Sequence, residues 1–185
     1  MNTVVTSKDA ILSAARSIVS ENGLSALHMR SVAQRCNIAL GSLYNYFPSK
    51  NDLTMATIES VWQDIFHKEM TCEANTSFLA YVSQIFESVQ QGMQTYPNFF
   101  SAHSISFASS EKKQAHQMMD RYFQHMKEGL LSILEHENIR KDAFGDTFTK
   151  QDFVEFIITS LLTLLIQHSS CHTLLEIIKR TIYES

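Results

Sequence analysis

Residues 32–53 read VAQRCNIALGSLYNYFPSKNDL, and this stretch decides the fold. The pattern predicts two short helices, about Met29 to Cys36 and about Leu40 to Phe47, joined by three residues. Helices of two turns are too short to be stable alone, so a third helix must pack on them. A first helix predicted from Lys8 to Glu21 supplies that surface through its apolar stripe. Three helices with a tight turn before the last are typical of the DNA-reading helix-turn-helix.

The last short helix has one inward face and one polar face. Leu43 and Phe47 are four residues apart and face inward. Before this helix the chain must turn sharply, and Asn37 is one of the few residues other than glycine that readily takes a positive φ. The alternative to a DNA-reading helix-turn-helix is a helical hairpin whose tyrosines lie on the surface and do not contact DNA.

Each polar position suits one kind of DNA contact. Gly41 lets the helix approach a phosphate closely. Ser42 and Asn45 can bond base edges, while Tyr44 and Tyr46 can donate to phosphates. The predicted DNA-binding residues are His28, Arg30, Leu40, Gly41, Ser42, Tyr44, Asn45, Tyr46 and Lys50.

The same stretch resembles the signature of the TetR (tetracycline-repressor) family. The matching positions are Val32, Ala33, Gly41, Leu43, Tyr44, Phe47, Lys50 and Leu53. The resemblance covers roughly residues 8–55 and implies a C-terminal ligand-binding and dimerisation domain. Asn37, Ala39, Leu40 and His28 depart from the family pattern, which bears on affinity and on the operator that is read.

The rest of the chain favours helices. Only 5 Gly and 2 Pro occur in 185 residues, so the frequent turns of an all-β fold are missing. We predict an all-α fold of about nine helices, with an N-terminal tri-helical helix-turn-helix head and a C-terminal helical bundle. The DNA-binding domain is predicted over residues 1–53, and the ligand-binding and dimerisation domain over residues 54–185. Predicted helices in the second part are 50–73, 77–95, 99–108, 111–137, 149–168 and 173–183.

Charge, cysteine content and the lack of targeting segments indicate the cellular compartment of the protein. The net charge is −4, but residues 1–53 carry five basic and three acidic side chains, a mild basic bias. The N-terminus lacks the pattern of a signal peptide, and no run is long and apolar enough to span a membrane. Cys36, Cys72 and Cys171 are odd in number and widely spaced. We therefore expect a cytoplasmic protein without a membrane partner.

A homodimer is expected because one short recognition helix reads only a few base pairs. The segment 153–166 is apolar on nearly all sides, which leaves one side for a second copy. The resemblance implies that the last two helices pair with their copies, and the alternative is a buried helix in a monomer. The predicted interface residues are Phe153, Ile157, Leu161, Leu164, Leu174, Ile178 and Ile182.

A ligand pocket among the middle helices is implied by the resemblance. Its predicted lining is rich in aromatic and methionine side chains, which suit apolar ligands, although such stripes are also typical of simple core. These residues are Trp62, Phe66, Phe86, Met93, Phe100, Phe107, Met119, Tyr122, Phe123 and Met126. His103, His116 and His125 are candidate polar anchors, or surface histidines.

Other chemistry has little support in the sequence. His168, Cys171 and His172 have a spacing that can gather soft ligands, but a fourth ligand is lacking and a helix break is predicted there. No hydrolase, nucleotide-binding or metalloprotease motif occurs. We expect no catalytic residue, no metal site and no cofactor.

Three functions remain open. The favoured one is a homodimeric repressor that a small apolar ligand releases from a double-stranded DNA operator. A DNA-binding activator or organiser, whose C-terminal domain recruits a protein, is the alternative. Scattered histidines are all that supports a small helical enzyme or metal carrier.

Overall fold

The computed structural model describes residues 6–67, 76–97, 99 and 111–183. Within these ranges the chain is all-helical, as predicted, with eight α-helices and a short 3-10 turn at Leu24–Ala26. The ninth predicted helix, 99–108, lies almost wholly outside the described residues. The helices are α1 Lys8–Asn22, α2 Met29–Arg35, α3 Leu40–Tyr46, α4 Lys50–His67, α5 Phe78–Thr95, α6 Glu111–His136, α7 Lys150–Ile166 and α8 His172–Ile182.

Polar side chains set the starts of three helices. Ser49 Oγ accepts from Asp52 N–H at 3.1 Å at the start of α4, and Thr149 Oγ1 accepts from Asp152 N–H at 3.1 Å at the start of α7. Both helices start within one residue of the predicted positions, 50 and 149. For α1 the cap is Ser7, whose Oγ accepts from Ala10 N–H.

Two helices end on a residue in the left-handed region that is not glycine. Asn37 has φ 52° after α2, and His168 has φ 51° after α7. After α7, Ser169 N–H donates to Leu164 O at 2.9 Å and His168 N–H donates to Leu165 O at 3.1 Å. This Schellman pattern satisfies the last carbonyls and ends α7 at Ile166, two residues before the predicted end.

The chain divides into two compact units. The first comprises residues 1–65 with 91–118, and the second comprises residues 66–90 with 119–185. The predicted boundary after residue 53 differs from this division because most of α4 belongs with the N-terminal helices. Val61 and Trp62 are buried in that part of α4.

The first unit is built around α1. Its Ile11, Ala15 and Val19 are fully buried, and α2 contacts both α1 and α3. Polar contacts join the helices that follow. Arg16 of α1 donates to Ser60 Oγ of α4, and Ser20 Oγ donates to the Thr95 carbonyl oxygen at 2.6 Å.

A buried tyrosine joins α4 to the end of α5 within the first unit. Tyr96 OH donates to Asp64 Oδ2 at 2.8 Å, and Phe99 packs edge-on against Trp62 with ring centroids 5.8 Å apart. Burial raises the pKa of the Tyr96 hydroxyl above its ordinary value, and the bond to Asp64 raises this pKa further.

One carboxylate organises the second unit. Glu137, just after α6, accepts from the N–H of Phe78 at 2.6 Å and from the hydroxyl of Tyr183. These bonds hold the start of α5 and the end of α8 at the same end of α6. Burial raises the pKa of the Tyr183 hydroxyl, and its bond to Glu137 adds to the rise.

An aromatic cluster fills the core beside that carboxylate. Phe78 stacks on Phe153 with centroids 5.7 Å apart, and Phe144 and Phe148 pack against Phe153 from the loop between α6 and α7. The segment 138–148 is therefore a loop that packs on the core through its phenylalanine side chains, although it is largely polar. Across the described ranges, the helices include none long and apolar enough to cross a membrane.

The Thr149–Asp152 capping box at the start of α7 is expected to contribute to the free energy of unfolding. Thr149→Ala removes the acceptor for Asp152 N–H, so the free energy of unfolding is expected to fall by about 1 kcal/mol. Urea denaturation followed by circular dichroism measures the change. Thr173→Ala, at an exposed position of α8, is the matched control. An equal decrease in the two variants would contradict the capping role.

Candidate nucleic-acid interface

The turn between α2 and α3 has the geometry that the sequence predicts. Asn37 takes the left-handed conformation, with φ 52°. Asn37 N–H donates to Gln34 O at 3.1 Å, and Ile38 N–H donates to Ala33 O at 3.0 Å. These bonds close α2 and redirect the chain into α3 within three residues. The two short helices therefore form a helix-turn-helix on α1.

Two buried side chains decide which face of α3 meets solvent. Leu43 is fully buried and Phe47 is 2% exposed, so this side of α3 lies on the core. The opposite side carries Gly41, Asn45 and Tyr44, and Tyr44 is 46% exposed. An exposed two-turn helix of this kind can enter the major groove of DNA.

The other two predicted positions on α3 are less open. Leu40 and Ser42 are half-buried. Ala39 precedes α3 and its side chain cannot accept a hydrogen bond, so the first N–H groups of α3 have no side-chain cap there. At Gly41 a Cβ would meet nothing within 4 Å, so the surface beside it is open.

Tyr46 makes a contact that sequence reasoning missed. Its hydroxyl donates to the Thr6 carbonyl oxygen at 2.7 Å, although the side chain is 39% exposed. The Tyr46 hydroxyl was predicted to donate to a phosphate. In the structure it instead joins α3 to Thr6, which precedes α1. By contrast, the Tyr44 hydroxyl has no partner in the described part of the chain.

Several basic groups surround this region. Arg30, just inside α2, and Lys50, at the start of α4, are exposed and make no ion pair with any described residue. Lys8 Nζ lies 5.8 Å from the centroid of the Phe47 ring. Sequence reasoning did not select Lys8, because its position beside Phe47 depends on how α1 packs. His28 is exposed and precedes α2 as its N-cap.

Arg35 is a basic residue that is already neutralised. Its two terminal nitrogens donate to the two carboxylate oxygens of Glu21 at 2.5 and 2.6 Å. The hydrogen bonds from Arg35 lower the pKa of Glu21 below its ordinary value. The pair ties the end of α1 to the end of α2, and we assign Arg35 no DNA contact.

The residues predicted to line a ligand pocket are only partly described. Phe100 and Phe107 lie outside the described residues, as do the side chains of Met119 and Tyr122. Trp62, Phe66, Phe86 and Met126 are buried, and Met93 and Phe123 are half-buried. The pocket stays a prediction. Of the candidate polar anchors, His125 is exposed, and His103 and the side chain of His116 lie outside the described set.

The predicted dimer interface needs correction. Six of its seven side chains are no more than 4% exposed and belong to the core of their own subunit: Phe153, Ile157, Leu161, Leu174, Ile178 and Ile182. Leu164 is half-buried. These helices are apolar on several sides, and the sequence alone does not tell which side packs inward. The large apolar side chains left exposed on α7 and α8 are Phe156, Ile166 and Ile177.

The histidine- and cysteine-containing segment after α7 gathers no metal-binding group. In the described part of the chain, no three His, Cys, Asp or Glu side chains lie close enough to hold a metal ion. His168 instead serves the left-handed turn that ends α7.

Comparison with known proteins agrees with the geometry of the N-terminal unit. Residues 11–57 match the family model described as bacterial regulatory proteins, tetR family. This N-terminal segment is therefore a tetR-family helix-turn-helix segment. The match begins in α1 and ends in α4, so it contains the whole helix-turn-helix.

Relatives and solved structures extend beyond this segment. The HTH-type transcriptional repressor KstR of Rhodococcus jostii (strain RHA1) is 30% identical over 119 residues, which are 61% of this chain and 56% of that protein. The chain thus spans about half the length of this curated relative.

Two solved structures share the fold at low identity. FadR of Bacillus subtilis, in complex with stearoyl-CoA, has a TM-score of 0.56 at 17% identity, over 85% of this chain and 87% of that one. BioQ, with its double-stranded DNA operator, has a TM-score of 0.55 at 17% identity, over 89% of this chain and 86% of that one. At this identity the likeness establishes the fold alone.

A substitution at Gly41 separates the stability of the fold from its affinity for DNA. Gly41→Ala meets open space and favours the helix by up to about 1 kcal/mol, so thermal stability is expected to rise. The added methyl group lies on the face predicted to meet DNA. We expect affinity for the DNA upstream of its own gene to fall on the order of tenfold, the effect of removing about one hydrogen bond.

Fluorescence anisotropy and thermal unfolding on one preparation give both quantities. Gly145→Ala, also in open space but in the loop before α7, should leave DNA affinity unchanged. Undiminished affinity in Gly41→Ala would remove Gly41 from the interface.

Proposed function

We propose that this chain is a homodimeric DNA-binding transcription regulator of the tetR family, which acts as a repressor and leaves its operator when a small apolar ligand binds. The exposed polar face of α3 carries this proposal. That face is held outward by the burial of Leu43 and Phe47, and it follows a three-residue turn at Asn37. The family match over residues 11–57 supports it.

The DNA contacts follow from the side chains on that face. With α3 in the major groove, Asn45 and Ser42 hydrogen-bond base edges, and an asparagine pairs best with adenine. Tyr44 supplies a hydroxyl for a phosphate. Arg30 and Lys50 neutralise phosphates on either side, which makes binding dependent on salt.

Repression is favoured over activation by the relatives. The matching protein of Rhodococcus jostii is a transcriptional repressor by name. An activator or DNA organiser would use the same head with a body that recruits a protein. The operator lies with the chromosome, so we place the protein in the cytoplasm.

Pairing of two copies is proposed because a single α3 reads too few base pairs. Two recognition helices one helical turn of DNA apart, about 34–36 Å, give useful specificity. Phe156 is 49% exposed, Ile166 72% and Ile177 43%. Exposed apolar side chains on two consecutive helices support a self-contact through α7 and α8.

Release by a ligand needs two states of the protein. In one of these states the two helix-turn-helix heads are misplaced for the operator. A ligand that binds more tightly to that state shifts the population towards it and lowers the affinity for the operator. A solved structure of this fold holds stearoyl-CoA, a molecule with a long apolar acyl chain, which supports the proposal that a fold of this kind can bind an apolar group.

DNA binding is tested by anisotropy titration on the DNA upstream of its own gene at several salt concentrations. We expect saturable binding, with an association constant whose logarithm falls linearly with the logarithm of salt concentration. Lys50→Ala should reduce the magnitude of that slope by about 1, because one phosphate is no longer neutralised. Lys141→Ala, an exposed lysine in the loop after α6, should keep the wild-type slope. The absence of salt-sensitive binding would refute the proposal.

Dimer formation is tested at the exposed face of α7. Phe156→Glu places a charge in the proposed contact and should shift sedimentation from dimer to monomer with the helix content unchanged. Gln151→Glu, at an exposed position about one and a half turns earlier, is the control and should remain a dimer. A Phe156→Glu variant that still sediments as a dimer would exclude this face. Buried positions such as Leu161 and Ile178 would report folding instead.

A further inference from the structure

The first turn of α1 and the last turn of α3 are joined by two contacts within the first unit. The Tyr46 hydroxyl donates to the Thr6 carbonyl oxygen at 2.7 Å, and the Lys8 ammonium lies 5.8 Å from the centroid of the Phe47 ring. At such a distance a cation is attracted to the face of an aromatic ring. The start of α1 is therefore held beside the C-terminal end of α3.

The charge of Lys8 is available to a group outside the chain. Its side chain is exposed and makes no ion pair with any residue that the structure describes. The neighbouring Asp9 points in a different direction, because successive residues of an α-helix are about 100° apart around its axis. By contrast, Arg35 in the same unit is bound by the Glu21 carboxylate. An anion that approaches the end of α3 therefore meets an unneutralised ammonium group at Lys8.

The place of Lys8 beside α3 suits a phosphate contact. An α-helix with its side chains is about 10–12 Å across and the major groove is about 12 Å wide, so the two phosphate backbones closely flank a helix that lies in the groove. A cation at the end of that helix then faces a backbone. Lys50 is exposed and follows Phe47 by three residues, so a second cation lies at this same end of α3.

We propose that Lys8 binds a phosphate of the DNA, and that Tyr46 is a positioning residue that holds the first turn of α1 in place for this contact through Thr6. A phenolic hydroxyl has one hydrogen, and that of Tyr46 is donated to the Thr6 carbonyl oxygen. Lys8 thus makes the phosphate contact that the sequence assigns to Tyr46. This inference rests on the proposed DNA-binding function and adds a residue to its interface.

The contact of Lys8 is tested by anisotropy titration on the DNA upstream of its own gene at several salt concentrations. Lys8→Met keeps the apolar stem over Phe47 and removes the charge. The slope of the logarithm of the association constant against the logarithm of salt concentration should lose about 1 in magnitude, because one phosphate is no longer neutralised. Lys8→Arg should keep the wild-type slope, as should Lys141→Met, the same change at an exposed lysine in the loop after α6.

The positioning role of Tyr46 is tested by a double-mutant cycle with Lys8. Tyr46→Phe removes only the hydroxyl, and in wild-type protein it should weaken DNA binding about fivefold, the effect of one hydrogen bond. In Lys8→Met protein the same change should cost less than about twofold, because the side chain that it positions no longer carries a charge. A tyrosine that contacted a phosphate itself, or that only stabilised the fold, would cost the same factor in both backgrounds.

Tyr44→Phe is the matched control for the cycle, since the exposed Tyr44 hydroxyl is proposed to reach a phosphate directly. Its loss of affinity should be equal in wild-type and Lys8→Met protein. Circular dichroism checks that each variant keeps the helix content of the wild type. The slope of Lys8→Met is measured without any change at Tyr46, so it tests the phosphate contact even if Tyr46→Phe unfolds.

Three results would overturn the inference: an unchanged slope in Lys8→Met, no loss of affinity for Tyr46→Phe in wild-type protein, or a loss for Tyr46→Phe that is equal in both backgrounds. Any of these, with salt-sensitive binding by the wild type intact, leaves the DNA-binding function standing. Wild-type protein without salt-sensitive binding would refute the DNA-binding function and this inference with it.

Discussion

Burial of Leu43 and Phe47 is the constraint on which the N-terminal unit depends. These side chains leave α3 a single orientation, and that orientation puts Tyr44 and Asn45 in solvent. Two further contacts hold the helix in place: Lys8 lies over the Phe47 ring, and the Tyr46 hydroxyl reaches the Thr6 carbonyl. A seven-residue helix is unstable alone. Packing on α1 and α2 therefore stabilises α3 in the helical form that can read DNA.

In the second unit the main requirement is to bury the apolar side chains of its helices. Phe153 enters the core beside Phe78, and the loop before α7 brings further phenylalanines onto it. Glu137 holds α5 and α8 at the end of α6. Once these demands are met, Phe156, Ile166 and Ile177 remain uncovered on α7 and α8. These exposed side chains form the surface through which we propose that a second copy binds.

The sequence predicted what depends on local chemistry. The all-α class, the turn at Asn37 and the starts of α4 and α7 follow from side chains within a few positions of the feature, and the structure agrees with each. Predictions that depend on packing did less well. Apolar residues surround α7, so periodicity did not distinguish its core side from its free side. The bond between Tyr46 and Thr6 joins residues forty positions apart, so it depends on packing that the local sequence does not determine.

Each unit contains a tyrosine bonded to a carboxylate, Tyr96 to Asp64 in the first and Tyr183 to Glu137 in the second. Both hydroxyls have a raised pKa in the folded chain. The unfolded chain therefore releases these protons first, and the stabilisation is complete below the ordinary tyrosine value of 10.0 and declines as the solution becomes more basic than that. Two units with separate cores thus share a common sensitivity to alkali.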